Sequence, residues 1–390
     1  MPEWIPEKAE KSAGMIMDQN DGICIQNVYW EKREGVSAQK LTKKDMHNHG
    51  GEIYGHSYKL DYSVNVNPMG TPASVVEAAA RGAALSAQYP DVACSELRRD
   101  LAAFLSVREE QIVFGNGAAD VIFSAILARK PKKVLVPAPT FAEYEQAAKV
   151  VDARMVYYYL KEEQEFGIDE GILDALTPDV DMAFLCNPNN PTGQLVTREA
   201  LIRILDHCMK NHIFLVVDEC FNEFLEDPKR YTLIDQLDRY PNLMILKAFT
   251  KTYAMAGLRL GYGLCSNREF MNRMAECNQP WAVSIPAQYA GVAALKETEF
   301  VARSMKLLHE ERKFLKSELK KLGFKVFDSQ ANYIFFKAAP DLKAECGKRG
   351  ILIRDCSNYI GLAPGYFRVS VKLHAENLEL LRTLEEIVNG

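Results

Sequence analysis

Lys251 lies in a stretch of the sequence that could form a covalent bond with an aldehyde. It follows the apolar run 243–246, which predicts a buried strand, and Arg259 comes shortly after it. A lysine that forms a Schiff base needs surroundings that lower its pKa, and an arginine nearby can hold an anionic ligand. A lysine and an arginine at a strand end can equally be two solvated charges, so the accompanying motifs decide between these interpretations.

Two further polar motifs also follow apolar runs. The Asn-rich turn 187–193 comes after the apolar run 182–185, and Asp218 ends the apolar run 213–217. Continuous apolar runs of this length are typical of buried parallel strands, and open α/β sheets bind ligands at the carboxyl ends of such strands. An Asn-Pro turn can be purely structural and an aspartate can cap a helix. An Asn-rich turn, an aspartate and a lysine nevertheless follow one another along the chain, each after an apolar run. This arrangement favours a ligand site at one edge of the sheet.

A phosphate-binding turn is predicted between residues 111 and 127. The strand-like run 111–114 leads into Gly115-Asn116-Gly117, and a helical composition begins at Ala118. Free amides at the start of a helix bind phosphate well, so we expect the amides of Ala118 and Ala119, next to Gly117, to face an anion. Asp120 would lie nearby. A Gly-x-Gly turn can also merely connect two elements.

The elements that must position these residues alternate between strand-like and helical segments, which predicts an α/β fold. We expect a three-layer large domain over residues 72–285, with a mainly parallel sheet between helices. Residues 286–390 would supply a long linking helix, at about 297–322, and a smaller α+β domain. Residues 46–71 would join that small domain and the site, and residues 1–45 would form an extension of unknown role.

Composition narrows the class of protein. The chain has 390 residues, of which 48% are hydrophobic and 25% charged, and its net charge is −5, so we expect neither nucleic acid nor a membrane as a partner. The nine cysteines include no Cys-x-x-Cys pair, which favours a reduced, cytoplasmic protein. Candidate metal ligands near the N-terminus are Cys24, His47, His49 and His56. Their spacing fits no usual zinc site, so we expect no metal.

From about residue 48 to the C-terminus, these motifs resemble the fold type I pyridoxal-phosphate (PLP) enzymes of aminotransferase class I/II. The resemblance implies that Lys251 binds the cofactor aldehyde and later shuttles protons. It also implies that Asp218 pairs with the pyridine nitrogen, which keeps the ring an electron sink. Asn190 would bond the ring hydroxyl, and Arg259 would hold the cofactor phosphate.

The same resemblance assigns other residues to the cofactor. Phe141 falls where the family stacks an aromatic ring on PLP, although it could be a core phenylalanine. Tyr89 falls where the family sends a tyrosine to the cofactor phosphate of the neighbouring subunit, which implies a homodimer with shared active sites. One departure is Ala248, which stands where relatives often place a hydroxyl near this phosphate. Thr250 could supply that hydroxyl instead, or the phosphate could rely more on Arg259.

The resemblance also implies a substrate with two anionic ends. Arg368 falls where the family clamps the substrate α-carboxylate, a task that suits a bidentate guanidinium. Arg354 falls where members that act on phosphorylated substrates hold the distal phosphate. The substrate phosphate would also be contacted near His49, Gly50 and Asn67.

Within the family, several motifs resemble the threonine-phosphate decarboxylases of cobalamin biosynthesis. These motifs are 49–51, 61–70, 141–144, 279–283 and 354–362. In addition, Phe221 stands where aminotransferases usually place a tyrosine. The resemblance implies decarboxylation of L-threonine O-3-phosphate, a small phosphorylated amino acid. The alternatives are decarboxylation of L-serine O-phosphate, an aminotransferase of the histidinol-phosphate type, or a non-catalytic binding protein with this fold.

Overall fold

The computed structural model describes residues 49–390. The predicted extension 1–45, together with Cys24 and His47, lies outside the described residues. Within the described part, no helix is long and apolar enough to cross a membrane.

A sheet of seven strands forms the centre of the larger part, in the order β2-β8-β7-β6-β5-β3-β4. Its strands are β2 (Ile112–Asn116), β3 (Lys133–Ala138), β4 (Arg154–Tyr159), β5 (Met182–Cys186), β6 (Phe214–Asp218), β7 (Leu243–Ala248) and β8 (Leu260–Cys265). Strand β8 runs antiparallel to its neighbours β2 and β7, and the other pairs are parallel. The predicted mainly parallel α/β sheet is therefore confirmed.

Helices cover both faces of this sheet. The α-helices within residues 49–390 are α1 (Ala73–Ala83), α2 (Ser95–Leu105), α3 (Ala118–Arg129), α4 (Glu143–Lys149), α5 (Ile172–Ala175), α6 (Arg198–Lys210), α7 (Pro228–Tyr231), α8 (Phe249–Thr252), α9 (Arg268–Cys277), α10 (Ile285–Ala294), α11 (Thr298–Lys321), α12 (Leu342–Lys348) and α13 (His374–Asn389). Along β6, Leu215 and Val217 join a core with α1, α2, α6 and α10, whereas Phe214 and Val216 join a second core with α3, α4 and α9. This alternation produces the three layers.

Smaller sheets form the C-terminal part. Their strands are β1 (Leu60–Asp61), β9 (Lys325–Val326), β10 (Tyr333–Lys337), β11 (Ile351–Leu352), β12 (Arg354–Asp355) and β13 (Tyr366–Ser370). The order β12-β13-β10-β9 is antiparallel throughout, and β1 pairs with β11 in parallel. Helices α11 and α13 pack on the same core as these strands. Helix α11 covers most of the stretch in which apolar spacing predicts a linking helix.

The edge of the large sheet gathers the three polar motifs. The Asn-rich turn follows β5, Asp218 ends β6, and Lys251 lies in α8, which begins directly after β7. Strands β5, β6 and β7 are parallel neighbours, so their carboxyl ends meet at one edge. The predicted boundaries of large and small domains, 72–285 and 286–390, stay predictions.

Candidate active site

Lys251 has an electrostatic environment that favours its neutral form. Burial, together with the positive charges of Arg368 and Arg259, lowers the pKa of Lys251 to about 8. Burial disfavours an ammonium ion, and nearby cations add to that effect. The lowered pKa increases the neutral, nucleophilic fraction of the amine near neutral pH, as a Schiff-base lysine requires.

Asp218 is held by two donors at the end of β6. Its side chain is buried, the Tyr144 hydroxyl donates to Oδ2 at 2.6 Å, and the Cys220 amide donates to Oδ1 at 2.9 Å. Tyr144 is itself fixed by stacking on Phe184, with ring centroids 4.8 Å apart. The amide contact shows that Asp218 also closes a local turn. Sequence reasoning gave Tyr144 no role, although this residue belongs to the motif 141–144 that resembles the decarboxylases.

The turn before α3 has the form of an anion cradle. Gly117 has a φ of +84° and no side chain caps the helix, so the first amides, at Ala118 and Ala119, have no side-chain acceptor at the cap. A Cβ atom added at Gly117 would lie 2.4 Å from Nη2 of Arg259, so the guanidinium approaches the bare backbone directly. Asp120 accepts a hydrogen bond from the Asn116 amide at 2.9 Å. These features fit a phosphate group.

Arg368 reaches Asn190 in the middle of the site. It is buried, and it donates to the Asn190 side-chain oxygen and to the Ser63 carbonyl oxygen, the latter at 2.8 Å. Its Nε atom is buried without a hydrogen-bond partner. Because an unpaired buried donor is costly, this atom is suited to an anionic ligand. The Asn190 oxygen is engaged by arginine, so a cofactor hydroxyl would meet the amide nitrogen of Asn190.

Arg354 lies directly opposite Arg368 in the small sheet. The two residues are paired in the register of the antiparallel strands β12 and β13. Residues opposite each other in such a pair point to the same face. The guanidinium of Arg354 donates to Asn358 Oδ1 at 2.9 Å and lies 5.2 Å from the ring centroid of Tyr359. Two buried cations therefore share one face.

The N-terminal segment contributes structural contacts beside the predicted site. At Gly50, a Cβ atom would lie 2.3 Å from the Ser63 carbonyl oxygen, so no larger residue fits. Asn67 donates from its side chain to the Thr252 carbonyl oxygen at 2.8 Å and from its amide to the Lys251 carbonyl oxygen at 2.9 Å. Asn67 thus anchors the short helix α8, which carries the lysine. Its substrate contact stays a prediction.

The remaining predicted cofactor residues occupy different surroundings. Phe141 is partly buried and meets Tyr144 edge to face, with ring centroids 5.6 Å apart. Thr250 is buried in α8. Tyr89 is 78% exposed, and its ring packs on that of Trp281 at 4.6 Å. Their roles toward the cofactor stay predictions.

Glu143 is a site residue to which sequence reasoning gave no role. Its Oε1 lies 3.4 Å from Nδ1 of His49, while its Oε2 is buried without a hydrogen-bond partner. Burial raises the pKa of Glu143 to about 7, although Lys251 and Arg354 act in the opposite direction. Among the residues that the structure describes, no group of His, Cys, Asp and Glu could hold a metal ion.

A lysine with a lowered pKa, a buried aspartate and a phosphate cradle at one sheet edge define a PLP-binding site of fold type I. The chain belongs to the aminotransferase class I and II family, whose model matches residues 57–384 and whose members depend on PLP.

Two kinds of relative are similar to the chain. The threonine-phosphate decarboxylase of Salmonella typhimurium is 35% identical over 335 residues, covering 85% of this chain and 92% of that protein. A histidinol-phosphate aminotransferase of Methanosphaera stadtmanae is 30% identical over 338 residues, covering 84% and 89%.

Solved structures of both kinds share the fold. The histidinol-phosphate aminotransferase from Clostridium acetobutylicum has a TM-score of 0.79 and 33% identity, covering 85% of this chain and 99% of that one. The L-threonine-O-3-phosphate decarboxylase from Porphyromonas gingivalis has a TM-score of 0.75 and 25% identity, covering 85% and 100%. These likenesses support a PLP enzyme and leave its reaction to be argued from the site.

Proposed function

We propose that the protein is a PLP-dependent decarboxylase of an O-phospho-L-amino acid. The preferred substrate is L-threonine O-3-phosphate, which gives (R)-1-aminopropan-2-yl phosphate and CO₂ for cobalamin biosynthesis. Similarity to threonine-phosphate decarboxylases supports this choice over the aminotransferase alternative. Phe221, in place of the tyrosine usual in aminotransferases, points the same way.

The observation that carries the proposal is the register pair of Arg354 and Arg368. Both guanidinium groups are buried and lie opposite each other on one sheet face. A substrate with a carboxylate at one end and a phosphate at the other satisfies both cations at once. Arg368 would take the carboxylate through its unpaired Nε, and Arg354 would take the phosphate, with His49 and Gly50 beside it.

The residues present also fit the cofactor. The amides after Gly117 and the Arg259 guanidinium would hold its phosphate, Asp218 would meet its ring nitrogen, and Lys251 would bind its aldehyde. When bound, PLP supplies a sink for the electron pair of the bond that breaks. Tyr144 has no direct part in that chemistry, but its hydrogen bond fixes the carboxylate of Asp218.

Orientation of the substrate would decide which bond breaks. The bond held perpendicular to the cofactor plane is the one whose electrons can enter the ring. With both anionic ends held by buried arginines, the substrate has little freedom to rotate, and remote binding energy can enforce the pose for decarboxylation. The arginines therefore act on the choice of reaction as well as on affinity.

A homodimer with shared sites is part of the proposal, in a cytoplasmic enzyme. Tyr89 and Trp281 form an aromatic pair that is largely exposed in the isolated chain, and Val92 nearby is 61% exposed. Exposed aromatic groups of this kind are typical of protein interfaces. In the dimer, Tyr89 would reach the cofactor phosphate of the neighbouring subunit.

The decisive experiment incubates the cofactor-loaded enzyme with O-phosphothreonine or O-phosphoserine and no keto acid. We expect CO₂ and the matching amine from both substrates. The threonine derivative should be preferred by roughly 10- to 200-fold in kcat/KM, the usual value of one methyl contact. A parallel assay uses histidinol phosphate and 2-oxoglutarate. Transamination there, with no CO₂ from either phosphoamino acid, would establish the aminotransferase alternative.

A further inference from the structure

Glu143 is placed where a decarboxylase needs a proton. It lies at the start of α4, between the predicted ring-stacking Phe141 and Tyr144, which holds Asp218. Its carboxyl group has one oxygen toward the half-exposed His49 and one buried oxygen without a partner. The group therefore connects the outer rim of the site with its interior.

The charged and titratable groups that face this carboxyl come from other parts of the chain, and they are His49, Asp218, Lys251, Arg354 and Tyr359. Burial raises the pKa of Tyr359, and its hydroxyl already contacts Asn190 at 3.4 Å. Asp218 is engaged by two donors. Lys251, which the family resemblance expects to shuttle protons, must be neutral when it exchanges with the substrate amine, so it competes with Glu143 as a donor only while it is charged. Among these groups, Glu143 combines a buried oxygen without a hydrogen-bond partner with a contact to His49 at the rim, which suits it to release a proton and to regain one.

The proton balance of the proposed reaction requires such a donor. The bond between the amino-acid carbon and its carboxylate breaks, CO₂ leaves, and the electron pair remains with the carbon side. A new C–H bond must then form at that carbon, so each turnover consumes one proton. An aminotransferase has no equivalent need, because it returns a proton that it has taken from its own substrate.

We propose that Glu143 is the proton donor of the decarboxylation, an inference that rests on the proposed function. The protonated carboxyl delivers its proton to the carbon that has lost CO₂. The resulting carboxylate regains a proton from water by way of His49, whose ring nitrogen lies 3.4 Å away. The site is then ready for another turnover.

The test compares Glu143→Gln with Glu145→Gln, a matched change on the same helix. Glu145 forms an ion pair with the exposed Lys149 and interacts with Tyr157 of β4, neither of which is a residue of the candidate site. In Glu143→Gln we expect kcat to fall by roughly 100-fold, a typical contribution of a general acid. The wild-type loss of kcat as pH rises above about 7 should disappear in this variant, because the titrating acid is gone.

Product analysis separates proton delivery from a structural role. If protonation of the carbon that has lost CO₂ were slow, the proton could add to the cofactor instead. Hydrolysis by water would then release the decarboxylated product as an aldehyde, and its amino group would stay on the cofactor. We expect the ratio of aldehyde to amine to rise in Glu143→Gln and to stay at the wild-type value in Glu145→Gln. Glu143→Asp, which retains an acid, should restore part of the amine. An unchanged product ratio together with an unchanged pH profile would overturn the inference.

A measurement without turnover completes the test. In the infrared spectrum of the loaded enzyme, a protonated carboxyl band should titrate with a midpoint near pH 7 and be missing from Glu143→Gln alone. The absence of such a band from the wild-type enzyme would contradict the role of Glu143 as proton donor. If the wild type releases no CO₂, the proposed function itself fails. If it releases CO₂ while the variant keeps normal products and pH dependence, only the role of Glu143 fails.

Discussion

Lys247 is buried at the end of β7 and Lys251 is partly buried in α8, the helix that follows, yet the charges around the two lysines are opposite. Lys247 pairs with Glu223 and lies 3.4 Å from the fully buried Glu219. Although burial acts to lower it, the carboxylates of Glu223 and Glu219 raise the pKa of Lys247 far above its ordinary value. For Lys251, burial is the main cause that lowers the pKa to about 8, and the positive charges of Arg368 and Arg259 act in the same direction.

The difference teaches that burial alone does not identify a reactive lysine. A buried lysine with carboxylate partners stays charged and forms part of a structural network of ion pairs. A lysine beside other cations has a lowered pKa and loses its proton more readily. Glu219 belongs to the network around Lys247, and it also accepts hydrogen bonds from the Thr232 hydroxyl and the Leu233 amide. Substitution of the two lysines should therefore affect different properties.

The largest effect is expected from Lys251→Ala. This variant should lose essentially all turnover and the visible absorbance of covalently bound cofactor, because the nucleophilic amine is gone. Its free energy of unfolding should change by less than about 1 kcal/mol, since the lysine forms no ion pair with a carboxylate in the part of the chain that the structure describes. Absorbance spectra and denaturant unfolding measure the two properties. Retained absorbance would mean that another lysine binds the cofactor.

The next effect is a loss of stability in Lys247→Met. Without the ammonium group, Glu219 is left buried without its cation, and breaking a buried pair costs about 3–5 kcal/mol. Urea unfolding should show this loss, while the folded fraction keeps a kcat close to that of the wild type. The double variant Lys247→Met/Glu219→Gln should recover part of the stability. A stable but inactive Lys247→Met would reverse the roles assigned to the two lysines.

The smallest effect is expected from Arg354→Gln, which removes one of the positive charges of the candidate site. Removing one charged, desolvated partner costs about 2–5 kcal/mol, so the Kd of O-phosphothreonine should rise by roughly 30- to 5,000-fold. The Kd of threonine should change little, because it has no phosphate. Calorimetry on both ligands measures the difference, and Arg349→Gln, a surface change that leaves Glu345 without one partner, is the control. Equal losses for both ligands would show that Arg354 does not contact the phosphate.

Local patterns in the sequence predicted the strands of the site and the long helix α11. Runs such as 213–217 are apolar throughout because β6 is buried on both faces, and this signal is visible without the fold. The family resemblance then gave Lys251, Asp218 and the two arginines their places. The fold class and the cofactor family are confirmed, and the individual roles remain to be tested.

Contacts between distant segments could not be predicted in this way. The hydrogen bond from Tyr144 to Asp218 joins residues 74 apart, and that from Arg368 to Asn190 joins residues 178 apart. Neither pair has a periodicity or a motif that relates its members. The sequence also gave no sign that Glu143 lies close to His49, although the two residues belong to the motifs 141–144 and 49–51. Such contacts follow from topology, which a single sequence specifies only indirectly.

The hydrogen bond from Arg368 to the Ser63 carbonyl oxygen has a consequence for biosynthesis, because its partners lie 305 residues apart. At roughly 5–20 residues per second, a ribosome needs about 15–60 s to make the intervening chain. Residues 117–259, which contain the residues proposed to hold the cofactor phosphate and aldehyde, are synthesised before β13. Arg368, the residue proposed to clamp the substrate carboxylate, is therefore the last of these site residues to be made.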